Sequence, residues 1–159
     1  MRTRPWIKPA VVLAVGLVAG NGKAESPVTK ISLERTACYG TCPVYKLTVY
    51  SDGKVEYEGK DHVKEKGARS SKIDEKFFVR LMKKADEIGF FKLKDRYDGL
   101  VTDLPTRITT VTKGDVSKAV RNYYGGPKGL HDLEQLIDEV TNSAQWTGVH
   151  PDTDALISR

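Results

Sequence analysis

Cys38 and Cys42 are the only cysteines of the chain, and three residues, Tyr39-Gly40-Thr41, lie between them. Two sulfurs this close can form a disulfide, exchange electrons, or help to hold a metal. Redox-active pairs usually stand as C-x-x-C at the start of a helix, where the thiol pKa falls. Here the spacing is C-x-x-x-C, and the residues that follow read as a strand. A zinc site needs two further ligands, and no histidine is near in sequence, so no metal is expected. In an oxidising compartment the pair is expected to close a disulfide. In the chain-entropy model a loop this short contributes about 2 kcal/mol. Gly40 lets the loop bend, and Pro43 stiffens its exit.

A second group of chemical residues falls in the longest irregular segment, Lys94 to Thr106. Asp95, Asp98 and Asp103 occur there with Arg96 and Tyr97. Loops held by a rigid scaffold often carry function. The enzymatic reading is a small hydrolase using Asp103 with Tyr97 or Arg35. The plainer reading makes Asp98-Gly99 a turn, lets Asp103 bracket the turn before Pro105, and leaves Arg96 solvated. The aspartate spacing is not an EF-hand pattern. His62, His131 and His150 have no G-x-S-x-G partner. Gly125 to Gly129 precede a helix but lack the P-loop pattern, so no cofactor is expected. If the chain has a binding site, Arg35, Tyr39, Tyr97 and Asp103 are its candidates, because the cysteine turn and the irregular loop both need something to order them.

The elements that position these residues can be read from periodicity. Ile31 to Thr36 and Val44 to Tyr50 alternate apolar and polar residues, as half-buried strands do. Asp52-Gly53 marks a hairpin, and Lys54 to Glu58 forms the third strand. The polar stretch K-E-K-G-A-R-S-S after Val63 shows no periodicity. Asp74 caps a helix in which Phe77, Phe78, Leu81, Met82, Ala85 and Ile88 recur at helical spacing, and Gly89 ends it. Arg107 to Thr112 and Val116 to Tyr123 form a second hairpin. A final helix places Leu130, Leu133, Leu136, Ile137 and Val140 on one stripe, with Trp146 packed just beyond its end. The expected order is βββ-α-ββ-α. That order predicts an α+β two-layer sandwich, a mostly antiparallel sheet with both helices on one face. The other sheet face is left open, with the Tyr50 hydroxyl pointing outward.

The first 24 residues have a different character. Arg2, Arg4 and Lys8 precede an apolar run of eleven residues, Ala10 to Gly20. A small residue, Ala24, stands before the first acid, Glu25. These are the parts of a secretory signal. A membrane-spanning helix needs roughly 20 apolar residues, so a permanent anchor is the weaker reading. The expected division is a signal peptide over 1–24, one domain over 25–147, and a disordered tail over 148–159. The chain is expected to be exported, periplasmic or secreted, with no stable membrane anchor after cleavage. The whole chain has 26 bases and 21 acids. Four bases and no acid leave with residues 1–24, so 22 against 21 remain, or +1. The basic excess belongs to the targeting segment, and nucleic-acid binding is not expected.

R-T-A-C-Y-G-T-C-P-V-Y (Arg35 to Tyr45), D-G-K-V-E-Y-E-G (Asp52 to Gly59), F-F-K-L-K-D-R-Y (Phe90 to Tyr97), T-D-L-P-T (Thr102 to Thr106) and Y-Y-G-G-P (Tyr123 to Pro127) together resemble a bacterial domain-of-unknown-function family with a C-Y-G-x-C-P-x-Y signature. The resemblance covers about residues 29 to 147. It implies bacterial origin and export, and it brings no activity and no catalytic residue. The functional reading is therefore a non-catalytic binding module for a protein or envelope component, acting through the open sheet face or the 95–105 loop. The alternatives are the hydrolase and a thiol-disulfide redox protein using Cys38 and Cys42.

Overall fold

The structure, a computed structural model, describes residues 29–150. The proposed signal peptide and the last nine residues of the tail lie outside them. The strands are β1 (Thr29–Arg35), β2 (Val44–Tyr50), β3 (Lys54–Asp61), β4 (Gly67–Lys72), β5 (Arg96–Tyr97), β6 (Arg107–Lys113) and β7 (Val116–Asn122). The helices are α1 (Glu75–Glu87), α2 (Lys128–Thr141) and the short α3 (Ala144–Thr147). One sheet holds all seven strands in the order β4-β3-β2-β1-β6-β7-β5. Every pairing is antiparallel except β5 with β7. The fold is α+β, as the periodicity implied.

One parity of each strand faces the helices. Ile31 and Leu33 of β1, Leu47 and Val49 of β2, Val55 and Tyr57 of β3, and Val111 and Val120 of the second hairpin are buried there. Phe78, Leu81 and Ala85 of α1 meet Leu130, Leu133 and Ile137 of α2 in the same core. Removing this much apolar surface from water is the main force holding the layers together. The Asp74 side chain accepts the Lys76 N–H at 2.9 Å, which caps α1. Gly89 then takes φ 62 and ends it. Trp146 of α3 stacks on Tyr57 at 5.0 Å between ring centroids.

Two strands depart from the expected order. β4 lies in the polar stretch that showed no periodicity. It is an edge strand, exposed at all but Ser71, so neither face had to be apolar. β5 is two residues long inside the segment expected to be irregular. It exists because the Tyr97 carbonyl accepts the Tyr123 N–H at 2.9 Å across the sheet, a contact with no local signature.

Candidate functional site

The register aligns one row of residues across the sheet at the end where β1 stops. Tyr45 pairs with Arg35, Arg35 with Arg107, Arg107 with Asn122, and Asn122 with Tyr97. α2 crosses this row and adds His131, Glu134 and Asp138, spaced three and four apart on one side of the helix. The result is a polar cluster inside the sandwich. Arg35 Nη2 donates to Asp138 Oδ2 at 2.7 Å, and the Tyr45 hydroxyl donates to Asp138 Oδ1 at 2.7 Å. Asn122 Nδ2 donates to both oxygens of Glu134 at 3.1 Å. Arg107 Nε lies 3.2 Å from Glu134 Oε2, an ionic contact without hydrogen-bond alignment. His131 Nδ1 is 3.7 Å from the same oxygen.

Burial, working against Arg107 and Asn122, pushes the Glu134 carboxyl up to about 7. Burial also lowers His131, and Arg107 adds to that shift. Gly126 belongs to the same packing. A Cβ there would stand 2.4 Å from Asn122 Oδ1, so the turn between β7 and α2 closes directly onto the cluster.

The cluster frames the cysteine loop. Cys38 and Cys42 form a disulfide, with Cα atoms 5.7 Å apart. At the neck of the loop, Arg35 and Tyr45 face each other in register and grip the two oxygens of one carboxylate. Beyond the neck, the Thr36 N–H donates to the Thr106 carbonyl at 3.0 Å, and the Thr106 N–H donates to Thr36 Oγ1 at 3.1 Å. The loop is thereby tied to the irregular segment as well. At its tip, Tyr39 is 89 % exposed. Leu100 on the neighbouring loop is fully exposed, and Tyr124, which packs over Gly99, is half-exposed.

The four candidate residues therefore divide. Arg35 is buried and engaged by Asp138. Tyr39 is displayed. Tyr97 is half-buried, and its hydroxyl accepts the Lys94 N–H at 3.3 Å. Asp103 is exposed, has φ 73, and accepts from Thr102 Oγ1 at 2.9 Å. Arg35 and Tyr97 stand three strand steps apart, roughly 14 Å of backbone at about 4.8 Å per step. The row therefore does not bring Arg35 and Tyr97 together. The pocket that includes Arg35 and Tyr45 is about 10 Å³, room for roughly one water. Sequence reasoning missed Asp138, Glu134, Arg107 and Asn122. Strand parity carried the signal, because Arg35 continues the inward alternation of Ile31 and Leu33.

A family model for a domain of unknown function, DUF6438, matches residues 29–141. The chain belongs to this family. The matched span of the DUF6438 domain runs from the first residue of β1 to the last of α2, so it contains the whole polar cluster and the loop it frames. No curated protein matches the chain. Among the described residues, no helix is long and apolar enough to cross a membrane.

Proposed function

We propose that this DUF6438 domain is a non-catalytic binding module of an exported bacterial protein, engaging a protein or envelope component through the loop end of its sheet. One observation carries the reading. A disulfide, a buried ion pair and two hydrogen bonds between Thr36 and Thr106 hold a loop whose tip presents a tyrosine to solvent. A buried salt bridge is a weak source of stability, so its placement at the loop neck points to shape rather than to strength. Tyrosine offers large contact area at low entropic cost and is enriched at binding hot spots. A loop ordered in advance loses less on binding. Leu100 and Tyr124 are further exposed apolar side chains. Export is supported by the N-terminal segment and by the disulfide, which persists in oxidising compartments.

The test is retention from an envelope extract on immobilised protein. A component should be held by the native protein and lost with Tyr39→Ala, at a cost of about 2 kcal/mol if Tyr39 is a hot spot. It should still be held by Lys83→Glu, on the helical side. If nothing is retained, or retention ignores Tyr39, the loop-end reading fails.

A further inference from the structure

Asn122 and Gly126 bracket the turn that leads from β7 into α2, and both touch the cluster around Glu134. The Asn122 side chain is fully buried. Its NH2 group faces both oxygens of Glu134 at 3.1 Å, and its carbonyl oxygen points away from them. That Oδ1 has no hydrogen-bond partner among the described residues. It lies against the Gly126 backbone, 2.4 Å from where a Cβ would stand. A buried acceptor without a partner is costly, so a charged Glu134, which can only accept, holds the amide in this orientation. The His131 ring also reaches the turn, through a hydrogen bond to the Gly126 backbone.

Glu134 faces Arg35 of β1, Arg107 of β6 and Asn122 of β7, with His131 and Asp138 on its own helix. Once protonated, it has an O–H to donate. The two arginines are donors only. The oxygens of Asp138 are taken by Arg35 and Tyr45, and His131 Nδ1 stands 3.7 Å away. A half-turn of the Asn122 amide supplies the missing acceptor. It puts Oδ1 where Nδ2 stands and brings the NH2 group against Gly126. Burial holds the Glu134 carboxyl at about 7, so both of its forms are populated near neutral pH. His131 is lowered by burial and by Arg107, while Asp132 and Lys128 act on it in opposite senses.

We infer that Asn122 is the moving part of a proton switch: when Glu134 gains a proton, the Asn122 amide turns over and resets the turn at residues 123–127. A proton held better by one arrangement shifts the population toward it. Gly125, at φ 76, and Gly126 give this turn backbone freedom. The turn also anchors the neighbouring loop. The Tyr123 hydroxyl donates to the Val101 carbonyl at 2.9 Å, and the Tyr124 ring packs on Gly99. The exposed Leu100 lies between these two anchor points in the chain, so the displayed part of the loop follows the proton. The inference does not rest on the proposed binding role, because every readout below is of the free protein.

The experiment is an NMR titration of the purified protein. The Asn122 side-chain NH2 protons should show a nuclear Overhauser contact with the Gly126 α-protons at about pH 5 and lose it at about pH 9, on either side of the Glu134 midpoint. Backbone amides of residues 99–101 and 123–126 should shift together with the Glu134 carboxyl carbon, at about pH 7. Glu134→Gln places an NH2 donor where the protonated carboxyl would donate, so it should keep the contact at every pH and abolish the shifts. His131→Gln should leave the step in place. If Glu134→Gln does not fold, the native titration still decides. A contact that ignores pH, turn amides that titrate apart from Glu134, or a step that survives Glu134→Gln and disappears with His131→Gln would each overturn the inference.

Discussion

Asp138 and Glu134 lie one helical turn apart and do different work. Asp138 binds Arg35 and Tyr45 through its two oxygens. Its removal leaves a buried guanidinium without that counter-charge, so Asp138→Ala should cost about 3 kcal/mol or more in urea unfolding. The apolar double variant Arg35→Met with Asp138→Leu should recover most of that loss, because the desolvation penalty disappears with the charges. If it does, the pair serves geometry, and Tyr39-dependent binding should fall while stability returns. Glu134 sets a pH dependence. Its folded pKa is raised from an ordinary 4.5 to about 7, so the folded state keeps a proton that the unfolded chain releases. The associated stability is fully present below about pH 4.5 and is lost as pH rises through about 7, on the order of 3 kcal/mol in all. His131 acts in the opposite sense, since its lowered pKa makes acidification below 6.5 costly. The Glu134→Gln variant isolates the first effect. Relative to the native protein, its unfolding free energy should lose the downward slope between pH 4.5 and 7. An unchanged slope would show that Glu134 titrates normally.

Among the elements, the β1–β2 connection has the clearest task. Its disulfide spans four positions, so in the chain-entropy model it contributes only about 2 kcal/mol. Replacing both cysteines, Cys38→Ser with Cys42→Ser, should lower stability by about that amount and leave the fold intact by circular dichroism. Local order should suffer more, with faster hydrogen exchange from Ala37 to Pro43. A reduction potential below about −300 mV would agree with a structural staple. A value near −120 to −200 mV would mark a labile pair and favour the redox alternative. The edge strand β4 shows the limit of pattern reading. Half-burial writes alternation into a sequence, and a strand exposed on both faces carries none. α1, with an apolar face, an aspartate cap and a terminal glycine, was legible in full.

For the whole molecule, β1 is the central strand, paired with β2 on one side and β6 on the other. The meander β1 to β4 builds one half of the sheet, and the β6–β7 hairpin returns after α1 to complete the other. β1 begins at Thr29, and the family match begins at the same residue. The domain should therefore need nothing from residues 1–24. A protein comprising residues 25–159 should unfold cooperatively, with the same thermal midpoint as the whole chain. A lower midpoint would mean that the basic, apolar leader packs on the domain. If residues 1–24 are a signal peptide, as proposed, the intact mass of the mature protein should correspond to a start at Glu25.

Read alone, the sequence determined the α+β class, the two main helices, five of the strands and the closeness of Cys38 to Cys42. Each follows from local periodicity, capping or spacing, which neighbouring residues encode directly. It also singled out Tyr39, though as one of four candidates. Only the tertiary structure separated those four. Arg35 became part of a buried frame because Asp138 lies 103 positions away, and Tyr97 took a strand position because β7 lies beside it. Glu134 and Asp138 resemble the solvated side of an amphipathic helix until the sheet register brings two arginines and an asparagine beneath them. Such pairings depend on which strands become neighbours, and that is decided by the burial of the whole core.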